Sequence, residues 1–387
     1  SLISIFACPC LGWAQWVTQS FNLVPGWNAI FLNVDATYTK KVPIAIGTPL
    51  RSIHNSPIEA IWKWIPDGTV QFSKSPLEPS QNNNWSKWSR KYPNADFSLN
   101  ANSGYLIYVD PTKLPSGSIH QLDIKGIPTL PKYSWSSSGI NLIGLPVLYS
   151  SSNTYADYLS FSPELGVQSD VYHYLNGKSK LISQKNNTFV DRGKAFWIKP
   201  ANAKLNYHGP LKITMQSNEG PNFKDNLNRY QMIIRNMTKL KLAVQISPAS
   251  SEPPPPTVKK KTNYSHDWGT TLGVFEEYDI ETNDEKFREL SSVGRIWHLE
   301  PVGTPGCERK IVVGINRNRL SPISGEKYTG IINIDAKDDS SQKNVAHIKL
   351  PVTAEVPDRV GLWMGVAQVT HVRHDLTVYE DVEKSEP

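Results

Sequence analysis

Gly26-Trp27-Asn28-Ala29-Ile30-Phe31-Leu32-Asn33-Val34 and Gly139-Ile140-Asn141-Leu142-Ile143-Gly144-Leu145-Pro146-Val147 follow one pattern, a G-x-N turn feeding an apolar strand. Each is followed by an aromatic strand running into a turn: Ile61-Trp62-Lys63-Trp64-Ile65-Pro66-Asp67-Gly68 in the first, Val171-Tyr172-His173-Tyr174-Leu175-Asn176-Gly177 in the second. Successive side chains on a strand point to opposite faces, so Trp62 and Trp64 share one face, as do Tyr172 and Tyr174. A third element closes each copy, Gly104-Tyr105-Leu106-Ile107-Tyr108-Val109 against Ala195-Phe196-Trp197-Ile198-Lys199. Three elements recurring in one order mark an internal duplication.

Working outward, the copies span 20–115 and 133–203, within units drawn at 15–118 and 119–203. The first is enlarged by a polar insertion, 75–96, that carries Trp85 and Trp88. In the second, Asn153 or Thr154 is placed to cap a short helix burying Tyr155, Tyr158 and Leu159. From about Leu205 longer alternating strands take over: Tyr230 to Asn236, Leu240 to Ile246, Arg295 to Leu299, Lys310 to Ile315, Tyr328 to Ile334 and His347 to Ala354. Their spacing suits an antiparallel sandwich over 204–356, interrupted by an exposed Pro/Lys-rich insertion at 247–267. Ser324 to Ile331 followed by Val345 to Ala354 resembles the closing hairpin of bacterial immunoglobulin-like modules. The expected fold is therefore mainly β, two tandem related small β units followed by an immunoglobulin-like β-sandwich.

Composition agrees. The 387 residues are 39% hydrophobic and 20% charged, with 24 Gly, 29 Pro, 12 Trp and 16 Tyr, a balance that favours short strands and many turns. The net charge of +6 comes from 41 basic residues scattered among 35 acidic ones. Its one dense basic run, Lys259-Lys260-Lys261, follows Pro253 to Pro256 and reads as a solvated loop, which sets nucleic acid aside.

Residues 1–14 are apolar or small and uncharged, the pattern of a signal-peptide core and cleavage end, with Cys8 as the alternative point of lipid attachment. Removing them leaves Cys307 alone, so an internal disulfide is not expected. The mature chain has no other stretch approaching the roughly 20 apolar residues of a membrane helix. The expected location is secreted or cell envelope. Residues 357–387 carry a fresh strand, Gly361 to Val369, and read as the start of a further domain.

Val24 to Ala29, the Trp62/Trp64 strand, the Trp85/Trp88 to Tyr92-Pro93 insertion, Gly104 to Ile107 and Gly361 to Gly365 together resemble large secreted multidomain proteins of planctomycete and verrucomicrobial type. Some of those carry laminin-G or concanavalin-like domains. The resemblance implies export and modular construction and supplies no active site.

Catalytic signatures are sparse in the residues themselves. The sequence holds neither a phosphate-binding G-x-x-x-x-G-K-[ST] loop nor a G-x-S-x-G nucleophile elbow. His371 and His374, three apart on a strand, would point to opposite faces, a poor chelate. Asp335-Ala336-Lys337-Asp338-Asp339 matches no EF-hand and reads as a polar hairpin turn. Glu276, Glu277 and Asp279 are the best acidic candidates for glycosidase work, which needs a fixed carboxyl separation. No catalytic residue, metal site or cofactor is assigned.

Sugar binding uses flat aromatics for the C–H faces of the ring and amides for its hydroxyls. Trp85 and Trp88, with Asn83 and Asn84, are the candidate ligand residues. Trp27, Trp62, Trp64, Tyr172, Tyr174 and Trp197 are expected in the core. The expected function is a non-enzymatic scaffold or adhesion module of a larger surface or secreted protein, with polysaccharide or a cell-surface protein as partner. The alternative is the carbohydrate-binding part of a polysaccharide-degrading protein.

Overall fold

The three repeated elements pair in the register their alignment requires. In a computed structural model, β2 (Gly26–Leu32) and β4 (Ile58–Lys63) flank β6 (Ser103–Val109), with Ala29 and Trp62 both opposite Leu106. In the second copy β8 (Asn141–Ile143) and β9 (Asp170–Leu175) flank β11 (Phe196–Lys199), with Leu142 and Tyr172 both opposite Trp197. Both sheets add a fourth strand beside the aromatic one: β5 (Ser86–Ser89) next to β4, and β10 (Lys178–Leu181) next to β9. The strand orders, β2-β6-β4-β5 and β8-β11-β9-β10 in mirrored direction, are the same. β5 lies inside the stretch expected to be an insertion. It is instead the fourth framework strand, hidden in the sequence because polar residues surround it.

The structure describes residues 15–37, 56–66, 85–91, 97–135, 140–147, 153–161, 165, 169–199, 209–217, 219–249, 251–252, 255, 272–279, 284–290, 293–320 and 327–356. Residues 1–14, expected to be a signal remnant, with Cys8, as well as Asn83, Asn84, most of the Pro/Lys-rich insertion, His371, His374 and the tail, lie outside them. The described residues belong to one compact unit, Ser1–Pro357.

Alternation along β2 and β6 gives the first sheet two apolar faces. Ile30, Leu32, Ile61, Tyr105, Ile107 and Val109 face one core; Ala29, Phe31, Trp62, Trp64 and Leu106 face another. The first core is closed by a small sheet, β1 (Val17–Leu23) and β3 (Val34–Asp35) either side of β7 (His120–Pro128). By hydrogen bonding, residues 120–128 go with the first unit rather than the second, to which the sequence reading assigns them. The second core is shared with the other copy. There Gly144 lets the chains approach so closely that an added Cβ would sit 2.3 Å from Phe31 Cβ.

Between β8 and β9 lies the expected helix, α1 (Tyr155–Phe161), which buries Tyr155, Tyr158 and Leu159. Its first turn is fixed by reciprocal bonds: Thr154 N–H donates to Asp157 Oδ2 at 2.9 Å and Asp157 N–H to Thr154 Oγ1 at 3.2 Å.

The rest is a two-sheet sandwich. One sheet runs β12 (Leu211–Thr214), β13 (Arg229–Asn236), β18 (Glu308–Ile315), β15 (Leu272–Asp279), β16 (Asp284–Glu289). The other runs β17 (Arg295–Leu299), β14 (Leu242–Ala249), β19 (Lys327–Asp338), β20 (Asn344–Glu355). Tyr230, Met232 and Ile234 on one side, and Val244, Ile334 and Leu350 on the other, fill the interior. Ser247–Ala249, expected to open the exposed insertion, continue β14 against β19. Asn236, fully buried, ties the corner after β13: Nδ2 donates to the carbonyls of Leu240 and Glu300 while Oδ1 accepts from Thr238 N and Oγ1. The β19–β20 turn is polar, as expected, and both Asp338 oxygens are occupied by Ser340 and Ser341.

The sandwich is bolted to the β units by long-range bonds. Asn153 donates to Asn344 O, Tyr158 OH to Val345 O at 2.5 Å, and His347 N–H to Pro146 O at 2.6 Å. From the other side Thr18 donates to both oxygens of Glu252, which also faces Lys125 at 3.0 Å. Burial disfavours the ionised carboxylate, yet the Thr18 donors and Lys125 outweigh it and hold Glu252 below the usual carboxylate range.

Candidate functional site: an aromatic cleft between the repeats

The three-residue spacing of Trp85 and Trp88 decides their placement. On β5 and the residue before it, that spacing sends the rings to opposite faces. Trp88, 4% exposed, belongs to the core shared with β1 and β7. Trp85 is half-buried on the other face, edge-on to Trp62 at 6.2 Å and to Trp197 at 6.1 Å. The two rings form no common platform. Glu276, Glu277 and Asp279 lie on β15, where only the backbone is described.

Trp197, 1% exposed, is the hub of the repeat interface. It meets Trp64 edge-on at 6.2 Å, and its Nε1 donates to Tyr174 Oη at 3.3 Å. Lys87, opposite Trp62 in the ladder, lays its ammonium 4.3 Å from the centre of that ring. Trp62, Trp64, Tyr172 and Trp197 are therefore core residues, as expected; Trp27 and Tyr174 are only partly buried.

Beside this interface opens a cleft of about 360 Å3, walled by Phe31, Trp64, Tyr133 and Leu142, with Lys63, Asn102, Ser103 and Ser134 among its polar members. Tyr133 stacks between Phe31, at 6.0 Å and 21°, and Trp135, at 6.0 Å and 30°. Burial pushes the Tyr133 phenol up, so it stays protonated at neutral pH. Burial also lowers Lys63, with Asp35 offsetting part of the effect; its ammonium donates to Asn100 Oδ1.

Two polar atoms of the cleft residues have no partner. Trp64 is 5% exposed and its Nε1 donates to nothing; Asn102 Oδ1 is buried and accepts nothing. Buried groups of this kind ordinarily find partners. Asn102 sits at φ 56°, a conformation asparagine tolerates, and its Nδ2 donates to Leu130 O at 2.7 Å. It also lines a second cleft, about 450 Å3, bounded by Thr129, Lys132, Lys212 and Met215, so the two clefts share one wall residue. Neither Asn102 nor Tyr133 was singled out in the sequence. The Asn102-Ser103-Gly104 turn signal marks a turn there without showing what it faces.

Among the described residues, no group of three or more His, Cys, Asp or Glu is arranged to hold a metal ion, and no helix is long and apolar enough to cross a membrane.

No family model matches the chain, and no curated protein matches it. Among solved structures, the adhesive subunit CfaE of the CFA/I fimbria of enterotoxigenic Escherichia coli matches at 12% identity and a TM-score of 0.22, over 49% of this chain and 73% of that one. The Salmonella enterica SafA pilin in complex with the SafB chaperone matches at 8% and 0.22, over 40% of this chain and 58% of that one. The ASH / PapD-like domain of human CEP192 matches at 10% and 0.22, over 41% and 94%. Likeness at this level carries no functional argument. The description of the chain as a mainly β protein with a two-sheet sandwich rests on its own strands.

Proposed function

We propose that the chain is a non-enzymatic scaffold or adhesion segment of a larger exported protein. The observation that carries this reading is the set of long-range bonds from Asn153, Tyr158, His347 and Thr18 that fasten both β units to the sandwich. A segment built to hold distance or bear load needs such fastening; a chain of loosely linked modules does not. The uncharged apolar stretch 1–14 supports export. Heat unfolding tests the fastening. A wild-type chain that melts in one transition, and a Tyr158→Phe/Asn153→Ala variant that melts in two, support the reading. Separate transitions in the wild type would remove its basis.

The aromatic cleft favours a second reading, in which the segment also holds polysaccharide. An indole N–H and an amide oxygen without partners, beside a stacked tyrosine, suit hydroxyls on a ring with apolar faces. Pull-down on insoluble polysaccharides separates the candidates. Trp64→Phe and Asn102→Gly, the second keeping the positive φ without strain, should reduce binding while far-ultraviolet circular dichroism stays unchanged. Binding lost only on Trp85→Ala would place the ligand at the half-buried ring instead.

A further inference from the structure

Where the sandwich meets both β units, a small cavity of about 20 Å3 is lined by Gln19, Asn33, Arg192, His347 and Lys349. A water needs about 10–15 Å3 on this measure, so there is room for one small guest and none for a sulfate, phosphate or carboxylate. The wall is basic. The carboxylates nearby are engaged: Asp335 with His347 Nδ1, and Glu252 with Thr18 and Lys125. His347 is 9% exposed, and its Nε2 is buried with no partner.

With Nδ1 turned to a carboxylate, the proton of a neutral ring stays on that side and Nε2 presents a lone pair; a charged ring presents a second N–H instead. We propose that this cavity is a site for one monatomic halide, occupied when His347 is protonated: Nε2–H donates to the ion, and Lys349 and Arg192 supply the surrounding positive potential. The neutral ring turns its lone pair toward the same position and disfavours an anion, so ion and proton enter together.

The groups facing the imidazole act in both directions. Burial lowers its proton affinity, Asp335 from β19 raises it, and Arg192 from the second unit and Lys349 from β20 lower it again, leaving His347 below the ordinary range. Lys349 is likewise lowered, first by burial and then by Arg192, against Glu252 and Asp335. Lys125 of β7, paired with Glu252, completes the set. A bound anion offsets the field of Arg192 and Lys349, so it must raise the proton affinity of His347.

The test uses the full chain, titrated with sodium bromide while sodium gluconate, too large for the cavity, keeps ionic strength constant. Imidazole 15N shifts report His347 directly. Bromide should move its titration midpoint upward. Bromide should also raise the melting temperature below the His347 midpoint and not above about pH 8, where even a histidine of ordinary pKa is neutral. Apparent affinity should fall about tenfold per pH unit above the midpoint, as one linked proton requires. His347→Gln should abolish the bromide-dependent melting shift, and Lys349→Met should weaken bromide severalfold while leaving the histidine signal in place. A midpoint unmoved by bromide makes this a water site and overturns the proposal, as does an unchanged bromide response in His347→Gln. Should His347→Gln fail to fold, the wild-type midpoint decides alone.

Discussion

Replacing Trp197 and Trp85, singly and together, measures how the repeats are joined. Trp197 is 1% exposed and touches Trp64 and Trp85 edge-on at 6.2 and 6.1 Å. Trp197→Ala should cost about 3–5 kcal/mol, the usual range for deleting a large buried aromatic. Trp197→Leu, which installs the residue the first copy carries at Leu106, should cost about half as much, because part of the volume is kept. Trp85→Ala costs less than Trp197→Ala, since that ring is half-buried. The pair should not add: edge-to-face contacts contribute about 0.5–1.5 kcal/mol, so the double variant should be less destabilised than the sum by that amount. Trp88 supplies the control. It lies on the opposite face of β5, and Trp88→Ala should add to Trp197→Ala within about 0.3–0.5 kcal/mol. Urea unfolding followed by far-ultraviolet circular dichroism avoids the fluorescence of the rings being removed. An additive Trp85/Trp197 pair together with a coupled Trp88/Trp197 pair would refute the assignment of faces.

Asn236→Ala removes the donor to Glu300 O and the acceptor of the Thr238 N–H in a fully buried corner, leaving Leu240 O only Thr238 Oγ1 at 3.3 Å, and should cost about 2–4 kcal/mol by urea unfolding. Gly144→Ala places a methyl 2.3 Å from Phe31 Cβ and should cost about 1–3 kcal/mol, with no relief from Phe31→Leu, since leucine keeps that Cβ and the carbon beyond it. Glu252 is held below its ordinary range when folded, so its contribution to stability is present above about pH 4.3 and is lost as pH falls through the lower folded value. Glu252→Gln should therefore flatten the acid limb of the urea midpoint plotted against pH, with little change in that slope near neutrality.

Much of this was legible. The alignment of the two copies, read from G-x-N turns and aromatic alternation, became residue-for-residue strand pairing: Ala29, Leu106 and Trp62 against Leu142, Trp197 and Tyr172. The short helix was legible through its capping residues. Six strands of the sandwich were legible through alternation such as that of Tyr230, Met232 and Ile234 with polar neighbours, while β12 and β16 were not read. What failed was long-range pairing. β7 was not read as a strand, and nothing in its residues names a partner in Val17–Leu23. β5 was hidden because only four residues pair, in polar surroundings. The cleft was illegible for a related reason: Lys63, Asn102 and Tyr133 come from separate segments, and only the folded chain brings their side chains to one wall.

The shared strand order has a consequence for the moment the chain is made. In each copy the strand that joins the other two repeated strands is the last in sequence, so β2 must wait for β6 and β8 for β11, while β4 and β9 can pair first with β5 and β10. β1 waits longer still, until β7 arrives. A chain emerging N-terminus first therefore carries β1, β2 and β8 unpaired until their closing segments appear, each of which then joins a lone strand to a pair already formed or to a later partner. Such late closure makes a truncation just before Ser103 or Phe196 more damaging than its length suggests.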